Sequence, residues 1–174
     1  MIADRRLVFE TPWFKVVAKA QAAGELYYML ELQDYVTVVA ITPSRQVLFV
    51  RQFRPVVERQ TLELPSGHVE ERESPEDAAR RELLEETGFV APRFELLGTL
   101  IPDVGRLTNQ MWCYFARDVE PSDGFQEREA ELSVIELPER DALRRAADGT
   151  IDHALNLAAL FLAVSSGKLA FDRP

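Results

Sequence analysis

The stretch SPEDAARRELLEETGF, residues 74–89, decides how this chain is read. Its punctuation is that of one helix. Ser74 is of the type that caps a helix N-terminus, and Pro75 suits the first helical position, where a missing N–H is no loss. Glu76 and Asp77 complement the positive end of the helix dipole. Gly88 is the expected stop, because glycine takes the left-handed conformation beyond a helix end without steric cost. Glu82, Glu85 and Glu86 share one face. With Glu82 at zero, about 100° per residue puts Glu86 about 40° to one side and Glu85 about 60° to the other. Ala78 lies on the same stripe and takes little room, while Ala79 and Leu83 turn toward a flank suited to a core. Like charges at this spacing oppose the helix by roughly a few tenths of a kcal/mol. Something must offset them, or the helix tolerates them.

Two readings of that face stand. It is a solvated acidic surface, the usual fate of a charge run, or it is a site for a hard divalent cation. Mg²⁺ prefers carboxylate oxygens and keeps several waters for itself and for substrate phosphate. The surrounding residues favour the second reading. Gly67, Glu73, Arg81, Glu82, Leu83, Glu85, Glu86, Gly88 and Phe89 fit the pattern G-x5-E-x7-R-E-U-x-E-E-x-G-U, with U an apolar residue, without a mismatch. By that pattern the chain resembles the Nudix hydrolases. The resemblance implies an α+β fold, a mixed α/β sandwich with the pattern carried on a loop–helix–loop. It implies hydrolysis of a nucleoside diphosphate linked to another moiety, with Mg²⁺ as cofactor and Mn²⁺ as a substitute. Carried over residue by residue, it assigns Glu82 and Glu86 as metal ligands, Glu85 as a ligand or its supporting partner, and the carbonyl of Ser66 as a further donor. Gly67 permits a tight turn and a close backbone approach. Arg81, four residues before Glu85, is placed to hold it, and Glu73 to hold Arg81 from the loop side.

Flanking residues narrow the resemblance. The segments RQFRP (51–55) and LELPSG (62–67) are similar to those of ADP-ribose pyrophosphatases and nucleoside diphosphate sugar hydrolases, over residues 36–110. Arg51 and Arg54 are the candidate diphosphate contacts, since arginine makes bidentate charge-assisted bonds to phosphate. Three residues apart, they fall on opposite faces if one strand runs through both; Arg54 is the expected stronger contact. Arg106 in PDVGRLTNQ (102–110) is a further phosphate candidate or one half of a loop salt bridge. That loop departs from the form many ADP-ribose enzymes carry, Ser-Pro-Gly with a glutamate four residues later. This chain has Asp103, Val104, Gly105 and Asn109, which keeps other nucleotide sugars open. In GFQEREAELSV (124–134) the resemblance points to a catalytic glutamate in a mobile loop: Glu129 by preference, or Glu127 or Glu131. Trp13, Phe14, Tyr27 and Tyr28 are suited to stacking on a base, or to packing in a dimer or the core.

Bulk properties set the limits. The chain of 174 residues reads as one domain with a small appendage: residues 1–34 as an N-terminal antiparallel β subdomain, which the resemblance associates with homodimerisation, and residues 35–174 as the catalytic domain. The net charge of −9 argues against nucleic acid as a partner, which needs clustered Lys and Arg, but permits a small phosphorylated ligand. Cys113 is the single cysteine, so no intrachain disulfide forms, which fits a reducing compartment. MIADRRLVFE has no apolar core of signal-peptide length, and ALNLAALFLAV (154–164) is broken by Asn156 and too short for a bilayer. A cytoplasmic protein with no membrane partner is expected.

Elsewhere the pattern predicts strands at YVTVVAITPSRQVLFVRQFR (35–54) around a Pro-Ser turn, at TLELPSGHV (61–69) ending in a Pro-Ser-Gly turn, and at RFELLGTLI, QMWCYFARDV and ELSVIEL. Two late helices follow, PERDALRRAADG and HALNLAALFLAVSSG, the second closed by Gly167. Strands first and helices late argue against a doubly wound parallel sheet. Two alternatives to a nucleotide-sugar hydrolase remain: a coenzyme A pyrophosphohydrolase, and a non-catalytic ligand-sensing module of the same fold. Such modules usually lose carboxylates of the pattern, and none is lost here.

Overall fold

The computed structural model of the protein describes residues 5–22, 24–124 and 132–171. The loosely alternating N-terminal stretch forms three strands, β1 (Arg5–Glu10), β2 (Lys15–Ala20) and β3 (Leu26–Glu31), paired antiparallel in that order as a sheet of their own. Thr11 shapes the first hairpin: its hydroxyl oxygen accepts the N–H groups of Trp13 and Phe14.

The β-rich run that follows forms β4 (Tyr35–Ile41) and β5 (Gln46–Arg54), with the turn where the Pro-Ser pair predicts it. β6 (Arg59–Glu63) returns along β5. The Pro-Ser-Gly segment, expected as a turn, is not one. Ser66–His68 forms β7, antiparallel to β4, with Gly67 opposite Val36. The reason lies in the edge it meets. β4 pairs β5 only at Ile41↔Val47, so the other end of that edge takes up residues 66–68, and the buried backbone groups find partners there.

Helix α1 (Pro75–Thr87) has the expected ends. The Ser74 Oγ accepts the Asp77 N–H at 3.1 Å, and Gly88 sits at φ 75° with its N–H bonded to the Leu84 carbonyl. Then come β8 (Phe89–Val90), β9 (Arg93–Leu100), β10 (Met111–Arg117), β11 (Glu120–Pro121), β12 (Ser133–Pro138), α2 (Glu139–Ala147) and α3 (Ala154–Ser165). The β8–β11 pair has no counterpart in the sequence pattern; two residues per strand leave no periodicity to read.

The main sheet has seven strands in the order β12-β5-β4-β10-β9, with β6 on β5 and β7 on β4. β10 runs parallel to β4, while the other pairs are antiparallel, so the sheet is mixed and the class α+β. Period-two alternation divides its strands between two layers. Val36, Val38 and Ala40 pack with Leu48 against Ala78, Ala79 and Leu83 of α1. Val39 and Ile41 pack with Phe49 against Leu143 of α2 and Leu160 of α3. Burying a side chain such as Leu83 completely contributes about 1.5–3 kcal/mol, which seats α1 and settles which of its faces looks outward. Among the described residues no helix is long and apolar enough to cross a membrane.

Candidate metal and diphosphate site

The burial of Ala78, Ala79 and Leu83 leaves Glu82, Glu85 and Glu86 on the side of α1 that faces β7 and the loop before it. Their mutual repulsion is offset by Arg81. Its Nη1 lies 2.6 Å from Glu82 Oε1 and 3.2 Å from Glu85 Oε2. The same guanidinium makes a two-point contact with Glu73, Nε and Nη2 each at 2.9 Å, and Nη2 also donates to the His68 carbonyl at 2.9 Å. Five contacts from one rigid fork fix the loop, β7 and the helix relative to one another, which a lysine cannot do. They hold the guanidinium more firmly protonated than usual, the Glu73 bond contributing most. The bond from Arg81 likewise holds the Glu73 carboxyl below the ordinary carboxylate range.

Glu82 behaves differently. Burial pushes its carboxyl up, and this outweighs the pull of Arg81. Gly67 lies against this carboxyl: a Cβ built there would lie 1.9 Å from the Glu82 carboxyl carbon. Gly67 does not have a positive φ, so the turn expected of it is absent and its function is space. One residue earlier, the Ser66 N–H donates to Glu86 Oε2 at 2.9 Å. Ser66 and Gly67 thus seat two carboxylates one helical turn apart. Among the described residues no three acidic, histidine or cysteine groups close into a metal cage. A cation that takes one or two carboxylates and completes its shell with water and phosphate needs no cage. The carboxylates of Glu82 and Glu86 are donors of the kind such a cation takes.

β5 runs without interruption through Arg51 and Arg54, so the two do fall on opposite faces. The Arg54 guanidinium is held more firmly protonated than usual, by its bond to Glu63 first and, least, by the charge of Glu86. It makes a two-point contact with Glu63, Nε at 2.8 Å and Nη2 at 2.7 Å. Burial by itself would raise the Glu63 carboxyl, but hydrogen bonds from Arg54 and Thr61 outweigh it and leave the group below its ordinary value. Sequence reasoning missed Glu63. The signal was present in LELPSG, where a glutamate between two leucines opposes an arginine-bearing strand. A cleft of about 350 Å³ adjoins this pair, lined by Arg54, Val57, Arg59, Thr61, Glu63 and His153 among others.

The profile of the NUDIX domain matches residues 31–159. The chain belongs to this family. It is 31% identical over 111 residues to the ADP-ribose pyrophosphatase of Bacillus subtilis (strain 168), covering 63% of this chain and 60% of that protein. It is 36% identical over 106 residues to the ADP-sugar pyrophosphatase of Mus musculus, covering 57% and 48%. The matches thus span about half to three fifths of these relatives' own lengths. A solved structure titled as that of an ADP compounds hydrolase superposes with a TM-score of 0.77 at 24% identity, over 97% of this chain and 94% of that one; at this identity the likeness establishes the shared fold.

The other candidates in this Nudix chain lie away from the carboxylates or outside the described residues. Among the described residues Arg106 forms no salt bridge. Its Nη1 lies 3.2 Å from the Tyr27 hydroxyl, and its guanidinium lies over the Tyr27 ring at 5.5 Å. Tyr27 in turn donates to the Gly105 carbonyl, and Leu30 bonds the backbone of Arg106 and Thr108, so the 102–110 loop is laced to β3. Asn109 is buried and donates to the Gln33 carbonyl at 3.1 Å. Trp13 is 77% exposed and is not a core residue; it sits in the connection between β1 and β2. Glu127, Glu129 and Glu131 lie outside the described residues.

Proposed function

We propose that this chain is a metal-dependent pyrophosphohydrolase that cleaves ADP-ribose or related nucleoside diphosphate sugars into a nucleoside monophosphate and a sugar phosphate. One observation carries the reading: Glu82 is seated against Gly67 while Glu86, one turn on, is held by the Ser66 N–H. The names of the relatives support the substrate class. The departures at Asp103, Val104 and Asn109 keep the sugar open.

In this mechanism water adds to one phosphorus and the bridging P–O bond breaks. A divalent cation, Mg²⁺ or Mn²⁺, would supply Lewis-acid charge to this reaction when bound. Glu82 and Glu86 would hold it, with Ser66 as the expected backbone donor, and Arg81 keeps Glu82 and Glu85 in register. Arg54 balances phosphate charge, sharing its guanidinium between Glu63 and the substrate, and Arg51, on the opposite face of β5, is the weaker of the two candidates. Glu129 or Glu127, from the 124–134 loop, orients the attacking water. A homodimer is part of the proposal: Leu7, Phe9, Trp13 and Tyr28 leave the N-terminal sheet with exposed apolar surface of the kind that marks an interface. So is a cytoplasmic location, in keeping with the free thiol of Cys113.

The test is a panel of nucleoside diphosphate sugars with Mg²⁺ in ¹⁸O-water, read by product mass. The label is expected in a phosphate product. Label on the sugar hydroxyl alone means glycosidic cleavage and overturns the mechanism. Glu86→Gln is expected to lose at least about a hundredfold in rate while remaining folded.

A further inference from the structure

Asn156 interrupts the apolar run of α3, yet it is only 1% exposed. Its Oδ1 accepts the Leu64 N–H at 3.0 Å, and its Nδ2 has no partner among the described residues. Leu64 lies between β6 and β7, with its side chain in the core shared with α2 and α3. Two residues later the Ser66 N–H holds Glu86 of α1, in the layer on the other side of the sheet. The segment between is tied to itself and to β4. The Ser66 hydroxyl donates to the Leu64 carbonyl at 2.7 Å and lies 3.0 Å from the Thr37 hydroxyl, which reaches the Pro65 carbonyl at 3.4 Å. A continuous path of hydrogen bonds therefore runs from α3 on one side of the sheet to the carboxylate helix on the other.

We propose that Asn156 is a positioning residue of the carboxylate site, setting the Ser66 N–H that orients Glu86. This rests on the metal-dependent reading of Glu82 and Glu86. A leucine at 156 matches its apolar neighbours but removes the acceptor for a buried N–H, which regains a partner only if residues 64–66 move. Such a movement carries the Ser66 N–H away from Glu86. Hydrogen bonds that orient metal-binding groups from outside typically change affinity by about ten- to a hundredfold.

The experiment is Mn²⁺ binding to the full chain without substrate, followed by the EPR signal of free Mn²⁺, with melting temperature and circular dichroism alongside. Asn156→Leu is expected to bind Mn²⁺ about tenfold more weakly or worse. Asn156→Asp keeps an acceptor for the Leu64 N–H, and is expected to retain most of the affinity even where its melting temperature falls. A merely structural Asn156 gives the other pattern, a lower melting temperature with Mn²⁺ affinity intact in Asn156→Leu, and that overturns the proposal. If Asn156→Leu does not fold, Thr37→Val decides, since it loosens the same segment from β4 with little change of volume. Weakened Mn²⁺ binding supports the proposal, and unchanged binding overturns it. A wild-type chain that takes up no Mn²⁺ is a separate result, which sinks the metal reading beneath.

Discussion

Helix α1 and the N-terminal sheet are built in contrasting ways. The helix buries Ala78, Ala79 and Leu83 completely and holds its polar face with five contacts from Arg81. In β1 all six residues are exposed, and β2 buries just Val17 and Ala18. What attaches the sheet to the main body is largely backbone and one aromatic: Leu30 to the 102–110 loop, and Tyr27 to Gly105 and Arg106. The first region is over-determined, so single changes there alter chemistry before they alter folding. The second buries little of its side-chain surface, so changes there leave the rest of the chain undisturbed.

The sharpest way to break this contrast is Gly67→Ala. The added Cβ meets the far end of the Glu82 side chain, which swings aside at little cost to the fold. A displacement of this size at a reacting centre costs about a hundredfold. Activity is therefore expected to fall by that order with the melting temperature nearly unchanged. A Gly67→Ala protein with full activity removes Glu82 from the site.

Arg81→Lys comes next. Lysine keeps the charge but loses the fork that joins Glu73, Glu82, Glu85 and the His68 carbonyl. Loss of such outer contacts is expected to cost about ten- to a hundredfold in activity or metal affinity, and steady-state kinetics across a Mg²⁺ titration read both. Equal activity at every Mg²⁺ concentration shows that the five contacts hold nothing the reaction uses.

Glu63→Gln sharpens the comparison by separating stability from chemistry. A hydrogen bond to a charged group contributes about 1.5–3 kcal/mol. Arg54 is 46% exposed, so solvent screening brings the expected loss toward the lower end. The pH dependence has a definite sign. The Glu63 carboxyl is depressed in the folded state, so its contribution is full above the unfolded value of about 4.3 and disappears as pH falls through the folded value. The melting-temperature gap between wild type and Glu63→Gln is expected to be widest near neutral pH and to close in acid. A gap that widens below about pH 4 reverses the sign and refutes the assignment.

Trp13→Ala is the smallest change. At an exposed hairpin tip the expected effect on monomer stability is within about 0.5 kcal/mol. If a partner subunit covers the sheet, the same substitution weakens the dimer, measured by sedimentation over a concentration series. A large loss of monomer stability means that Trp13 is packed within its own chain and that the contrast with α1 is wrong.

Much of α1 was legible because its signals are local. Ser74, Pro75 and Gly88 act on backbone groups within one turn of themselves, and the wheel positions of the three glutamates follow from helix geometry alone. The opposite facing of Arg51 and Arg54 was legible for the same reason, since a strand repeats every two residues. The Pro-Ser-Gly segment misled because its residues favour turns, whereas the open edge of β4 made a strand of it. Glu63 and the Arg106–Tyr27 contact join residues 9 and 79 apart, and no periodicity reports such partners.

The sequence by itself determined the helix, its caps and its acidic face, because each depends on residues within a few turns of one another, and the family pattern, because it is fixed by residue type and spacing along one segment. Tertiary structure decided what those groups meet. It set Glu82 against Gly67, gave Glu86 the Ser66 N–H, paired Arg54 with Glu63 and brought Asn156 of α3 to Leu64. These contacts depend on how strands register and layers stack, and chain-local preferences do not encode that. Burial likewise raises the Glu82 carboxyl, a group that the sequence alone leaves on an outward helix face.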